Sequence, residues 1–321
     1  MKRFLIYVML LLSMGTLVFG ANPNAPTELK TENAVSPLGI DNDSPRFSWI
    51  CSDSDRGETQ TAYRIIVAST QANIDSEYGD MWDSGKVSSS AQNAVTYDGT
   101  ALVERSAYYW KVRVWDKNNN LSSYSAAATF ETGMLSQSDW TAQWIGGDYN
   151  LLRDDLVLNP AKTIAKARLY VTSLGYNEVY INGQKVGDDV CNPGFTRYEK
   201  RALYSTYDVT SLMNAQNNGI GIMLGDAYYV RWVSSNLAAR LEIHVTYTDA
   251  STVYFGTHTT TFKALQGGPI TYNDIWNGER YDAREEADIA GWSDYGFNES
   301  GWSTPSQISY SGTINAQLEA V

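Results

Sequence analysis

From Lys166 the chain alternates: Leu169 and Val171, then Val179 and Ile181, recur at every second position with outward-facing partners between them. That is the period of a strand burying one face. Asn182-Gly183 falls between two such runs and predicts a tight hairpin. Both central residues of a type I′ turn need positive φ, which Gly adopts freely and Asn tolerates. A run from Ala202 to Tyr207 leads into Asp208-Val209-Thr210-Ser211-Leu212, where Asp208 or Thr210 is placed to cap one short helical turn. The β pattern resumes at Gly219-Ile-Gly-Ile-Met-Leu-Gly225.

The first third carries the same signal. Residues 29–33, 46–51, 62–68, 108–115 and 126–131 are short runs rich in Val, Ile, Tyr and Trp, separated by Gly, Asp, Asn and Ser. Within Tyr108 to Trp115, Tyr108, Trp110, Val112 and Val114 share one face, which makes Trp110 a core residue rather than a sugar platform. Spacing of this kind predicts a fibronectin-III-like or immunoglobulin-like sandwich. Further strands are expected at 237–247, 251–256 and 259–265. No repeat, low-complexity tract or long helical pattern interrupts them, so the chain reads as all-β. The units are 21–135 for the first sandwich, 136–150 for a linker pinned by Trp140 and Trp144, and 151–290 for a second sandwich. Residues 291–321 form a further segment or tail, too short to hold a helical barrel.

Composition narrows the function classes. A net charge of −12 over 321 residues lacks the basic footprint of a nucleic-acid binder. Tyr 22 and Trp 10 against Phe 8 favour rings with a polar handle, which suits sugar binding and equally suits β-sheets. Lys2 and Arg3 precede an apolar run from Phe4 to Phe19 that ends in Gly20 before Ala21, the pattern of a secretory signal peptide over 1–20. Ser13, Gly15 and Thr16 interrupt the run and argue against a membrane span. An exported protein, periplasmic or extracellular, is expected. Cys51 and Cys191, in different units, are expected as two free buried thiols rather than a disulfide.

Three clusters bear on chemistry. In Asn273 to Glu286, Asp274, Glu279 and Asp282 are candidate paired carboxylates for glycoside hydrolysis; the competing reading is that Arg280 and Arg284 neutralise them in an irregular loop. His244 and His258 lack the partners of a triad or a zinc site, and His244 reads as a satisfied strand residue. Asp41-Asn42-Asp43 and Asp188, Asp189 and Asn192 are oxygen-rich loops that a calcium ion or plain solvation would explain. For sugar binding the candidates are Tyr176, Asn177, Asp226, Tyr228, Tyr229, Arg231 and Trp232: rings to stack on a deoxyhexose, with a carboxylate and a guanidinium for its hydroxyls, the last five in a loop after an apolar strand. No catalytic residue is assigned.

The words GYNEVYINGQKVGD, PGFTRYEKRALYSTYDVTSL and GIGIMLGDAYY, in that order, resemble the N-terminal β-sandwich region of the bacterial α-L-rhamnosidases, glycoside hydrolase family 78. SPLGIDNDSPRFSW, RGETQTAYRIIVAS and GDMWDSGKV resemble the opening module of the same family. The resemblance covers nearly everything after residue 20. It implies that the second sandwich is a jelly roll of galactose-binding type, and that calcium assists rhamnose binding in some relatives. It also places NGERYDARE in the sandwich region rather than in a catalytic site. Relatives usually carry Gly-Asn-Gly-Trp where this chain has Gly225-Asp226-Ala227-Tyr228. The family's acid and base lie on a later helical barrel whose motifs have no match here, so no catalysis is expected from these residues alone. Three readings follow. The chain is the non-catalytic part of an exported enzyme that cleaves terminal α-L-rhamnose with inversion, its partners being a rhamnose-containing polymer and the missing catalytic domain. Alternatively it is a free-standing carbohydrate-binding module, or a structural or adhesion sandwich.

Overall fold

The structure is a computed structural model that describes residues 21–318; the expected signal peptide lies outside the described residues. In the first sandwich, β1 (Thr27–Thr31), β2 (Arg46–Ile50), β3 (Ala62–Ala68), a short helix α1 (Gln71–Asp75), β4 (Trp82–Asp83), β5 (Val87–Ser88), β6 (Val95–Thr96), β7 (Ala107–Trp115) and β8 (Ala128–Glu131) follow one another. They form a sheet β1-β2-β6 facing a sheet β4-β3-β7-β8, with β5 also on β3. Along β7 the buried positions are Tyr108, Trp110, Val112 and Val114, as the alternation predicts. Trp110 is fully buried, 4.5 Å from the Phe47 ring.

The second unit comprises β9 (Ile145–Gly147), β10 (Leu151–Val157), β11 (Ile164–Leu174), β12 (Tyr176–Ile181), β13 (Gln184–Lys185), β14 (Arg201–Asp208) and β15 (Asn217–Gly225). A helix α2 (Ala227–Trp232) precedes β16 (Leu237–Tyr247), β17 (Thr252–Gly256), β18 (Lys263–Leu265), β19 (Ile270–Asp274), β20 (Gly278–Tyr281), β21 (Ser306–Gln307) and β22 (Thr313–Ala316). A five-stranded sheet β13-β12-β15-β10-β18 packs on a larger sheet β21-β9-β16-β11-β14-β22, with β17 on β16. Leu152, Val179, Ile181, Ile220 and Ile222 from one sheet meet Leu169, Val171, Leu241 and Ile243 from the other. Each such side chain contributes roughly 1.5–3 kcal/mol by leaving water. Asn182 (φ 52°) and Gly183 (φ 77°) make the expected hairpin, pairing Ile181 with Gln184. Among the described residues no helix is long and apolar enough to cross a membrane.

The structure departs from the sequence expectations in four places. The outward partners on β11 are buried too: Tyr170 and Thr172 lie under a second apolar layer containing Met134, Trp140, Trp144 and Tyr204. The expected linker supplies part of that layer, and its Ile145–Gly147 is a strand of the larger sheet. The expected tail is part of the second sandwich. Residues 292–295 lie flat on β15, where a Cβ on Gly219 would meet the Asp294 backbone at 2.3 Å, and β22 runs parallel to β14. The Gly-Ile-Gly-Ile pattern therefore marks a strand with side chains on one face and backbone on the other. Finally, both cysteines are free, but Cys191 is exposed and Cys51 only partly buried.

The two sandwiches meet through charged and backbone bonds. Arg168 forms a forked pair with Glu131, at 2.9 and 2.7 Å. The Tyr204 hydroxyl donates to Gly39 O at 2.9 Å and accepts from Met134 N at 3.1 Å. Glu242 is fully buried at the joint. It accepts from Ala142 N at 2.6 Å and from Thr141 N, and it lies 3.0 Å from His244 Nε2 and 3.5 Å from Arg105 Nη2.

Candidate functional site

Where β12, β15 and β19 end together, they open a cavity of about 320 Å³. Its lining includes the apolar Leu151, Met223, Ile270 and Ile289 and the polar Tyr176, Asn177, Cys191, Asn273 and Glu279. Asn177 is 6% exposed and donates to Ser173 Oγ at 2.7 Å, yet no described residue donates to its Oδ1. Asn273 uses Oδ1 to accept from Asp226 N at 2.7 Å, which leaves its Nδ2 without an acceptor among the described residues. Neither atom is shut away from solvent, so one acceptor and one donor stand open along the cavity lining for a ligand to use. Burial above all pushes the Tyr176 hydroxyl well above its ordinary range and keeps it a donor. A smaller cavity of about 250 Å³ shares Asn150, Ile270 and Asn273 with the first and is lined by Asp226. Burial, then the nearby Asp274 carboxylate, raises the Asp226 pKa.

The seven candidate sugar residues separate into three groups. Tyr176 and Asn177 line the larger cavity and Asp226 the smaller one. Tyr228, Arg231 and Trp232 stand outside on α2, in an aromatic cluster with Phe195 and Trp276. Tyr229 belongs to neither: it is 7% exposed and packs edge-on against Tyr198 at 5.3 Å. The expected loop is a helix, and helical spacing puts Tyr228 and Trp232 on one side and Tyr229 on another. Sequence reasoning missed Phe195, Asn273, Trp276 and Glu279 as wall or cluster residues. The last three sit in the word read only for carboxylate pairs.

That word is ordered in an unexpected way. It forms the hairpin β19–β20 and then a 3-10 helix Ala283–Ile289, rather than an irregular loop. Arg284 does pair with Asp282, but Arg280 lies over the Tyr272 ring at 4.9 Å, and Asp274 is reached by Arg231 at 3.6 Å. Glu279 has no ionic partner among the described residues and is left to the cavity.

Three of the calcium candidates, Asn192, Asp189 and Asp41, already spend oxygens inside the protein. Asn192 Oδ1 accepts from Ser205 Oγ at 2.9 Å and Gln317 Nε2 at 3.2 Å, and Asp189 Oδ2 accepts from Tyr207 OH at 2.5 Å. Asp41 Oδ2 is likewise taken, by Ala316 N at 2.9 Å and Asn315 Nδ2 at 3.1 Å. Among the described residues no group of three or more His, Cys, Asp or Glu has metal-binding geometry.

Residues 162–320 match the profile of the α-L-rhamnosidase N-terminal domain, and residues 26–136 that of the Rha78A-like N-terminal immunoglobulin domain. An α-L-rhamnosidase of Formosa agariphila is 34% identical over 84% of the chain, and one of an Alteromonas species 37% identical over 87%. The chain spans 32% of the length of each. The solved α-L-rhamnosidase of Dictyoglumus thermophilum superposes with a TM-score of 0.86 at 34% identity, covering 92% of this chain and 35% of that one. The Streptomyces avermitilis α-L-rhamnosidase complexed with L-rhamnose shares the fold, with a TM-score of 0.84 at 23% identity over 91% of this chain and 46% of that one.

Proposed function

This chain belongs to the α-L-rhamnosidase family as its N-terminal sandwich modules, and from that premise we propose that the second sandwich binds the rhamnose of a glycan in the cavity between β12, β15 and β19. The observation that carries the reading is a cavity lined both by two amide atoms without a partner among the described residues, Asn177 Oδ1 and Asn273 Nδ2, and by apolar side chains. A 6-deoxyhexose has matching sides. Its hydroxyls face the amides, Tyr176 and Glu279, and its methyl group faces Leu151, Met223 and Ile289. The names of the relatives support rhamnose as the sugar. Hydrolysis of terminal α-L-rhamnose with inversion is proposed for the whole protein, by an acid and a base outside these modules. Export to the periplasm or beyond is part of the same proposal, resting on the Lys2-Arg3 start and the apolar run after it.

Calorimetric titration of the chain with methyl α-L-rhamnopyranoside, against methyl α-D-glucopyranoside, tests this. Binding of the rhamnoside alone, unchanged by chelation and without turnover of p-nitrophenyl α-L-rhamnoside, is the expected result. No binding by folded protein would reduce the second sandwich to a structural or adhesion role.

A further inference from the structure

Beside the cavity lies the aromatic cluster, and rhamnose binding alone gives it nothing to do. Phe195, Trp232 and Trp276 are 58, 57 and 52% exposed, an unusual concentration of large rings in water. They are nevertheless held in place. Trp232 stacks on Tyr228 at 5.1 Å with 15° between the planes, and Phe195 approaches the same Tyr228 at 4.6 Å. Trp276 meets Trp232 at 5.7 Å and lies under the Arg231 guanidinium, 4.4 Å from the ring centre, while Arg231 reaches Asp274 at 3.6 Å. Rings fixed by one another and by an ion pair lose little freedom when a ligand arrives.

The cluster is continuous with the cavity. Asn273 of the cavity lining accepts from the N–H of Asp226, the residue before α2, at 2.7 Å, and the next residue, Asp274, is reached by Arg231 of α2 at 3.6 Å. Resting on the rhamnose reading above, we propose that these rings form a second subsite, a stacking platform for the sugar unit next to the rhamnose. The ligand class is then an oligosaccharide with rhamnose at its end. The carboxylates of Asp274, which pairs with Arg231 at the rings, and of Asp226, the residue before α2, favour such a ligand over a docked protein. Sugar hydroxyls donate hydrogen bonds to carboxylates, whereas a dry protein interface strips them of water without return.

The test is calorimetry on the full chain with methyl α-L-rhamnopyranoside and with rutinose, a rhamnose-terminated disaccharide. Rutinose is expected to bind about fivefold to tenfold more tightly, the gain of one stacked ring. Trp276→Ala removes that gain and leaves methyl rhamnoside binding as it was; Trp276→Phe restores most of it. Equal affinities for the two ligands, or a Trp276→Ala protein that still prefers rutinose, overturn the platform. Rutinose binding that depends on Trp276 without methyl rhamnoside binding keeps the platform and overturns the cavity instead. Self-association in sedimentation, abolished by Trp276→Ala with rutinose without effect, overturns the platform in favour of a protein interface.

Discussion

The joint between the sandwiches and the open end of the second one differ in where they put their charges and their rings. At the joint, Glu242 collects Thr141, Ala142, His244 and Arg105, and Glu131 holds both arms of Arg168. At the open end, Asn177 Oδ1 and Asn273 Nδ2 have no partner among the described residues, and three large rings face water. The joint sets ionised groups against one another away from water, although Arg105 Nε and Trp140 Nε1 stay without a partner there, whereas the open end keeps polar atoms and rings where a ligand can reach them. The contrast also sorts mutations: joint substitutions should cost stability and spare affinity, and end substitutions the reverse.

The largest effect belongs to Glu242→Ala. Removing the carboxylate strands the backbone N–H groups of Thr141 and Ala142 and leaves Arg105 and Arg240 without their nearest anion. Breaking a buried charge network in this way costs about 3–5 kcal/mol. Urea denaturation should show that loss while methyl rhamnoside affinity, measured on the folded fraction, stays within twofold. A comparable loss of affinity would mean that the joint and the end are one functional unit.

The same residue gives a pH signature. Burial would raise the Glu242 carboxyl, but His244 and the N–H groups of Ala142 and Thr141 outweigh it and hold the pKa at about 2, against an ordinary 4.5. A carboxylate depressed in the folded state stabilises above its unfolded pKa and loses that contribution as pH falls through its folded one. The window therefore runs from about pH 4.5 down to about 2, and the contribution at neutral pH is on the order of 3 kcal/mol. Wild-type stability should fall more steeply across that window than that of Glu242→Gln. Parallel curves would show that other carboxylates govern acid unfolding.

At the open end Glu279→Ala is the cleaner probe, because the side chain has no ionic partner to strand. Losing one hydrogen bond from a charged acceptor to a hydroxyl should weaken methyl rhamnoside binding about tenfold, with melting unchanged. Unaltered affinity would move the sugar away from β20.

Both strands of this contrast were partly legible in the sequence. Period-two alternation located β7, β11 and β12 because each has a face in a core, and the Asn-Gly turn announced itself by its φ requirement. The second buried face of β11 was not legible, since residues that cover it come from 134–144 and from β22, far away in sequence. Tyr176, Asn177 and Asp226, picked out as polar or aromatic residues beside an apolar strand, line the two cavities. Tyr229 was misplaced because its turn is helical, and Trp276 went unnoticed because its contact with Trp232 bridges two separate segments. Asn192 looked like a metal ligand until the fold brought Ser205 and Gln317 to its oxygen.

The smallest effect sharpens the contrast from the backbone. Ala227 opens α2 with φ 48° while 5% exposed, a conformation that a side-chain-bearing residue adopts at a cost of roughly 1–2 kcal/mol. Glycine escapes that cost but loses about 0.5–1 kcal/mol more in unfolded-state entropy, so Ala227→Gly should stabilise by only about 0.5–1 kcal/mol. The residue stands between Asp226, which lines a cavity, and Tyr228, on which Trp232 stacks. Strain kept at such a place fixes the direction in which the next turn leaves. If it serves binding, Ala227→Gly gains stability in denaturation and loses part of the rutinose preference as α2 becomes freer, with methyl rhamnoside affinity unaffected. A variant that gains stability and keeps the full preference would make the strain incidental, and the end of the sandwich would then differ from the joint in its side chains alone.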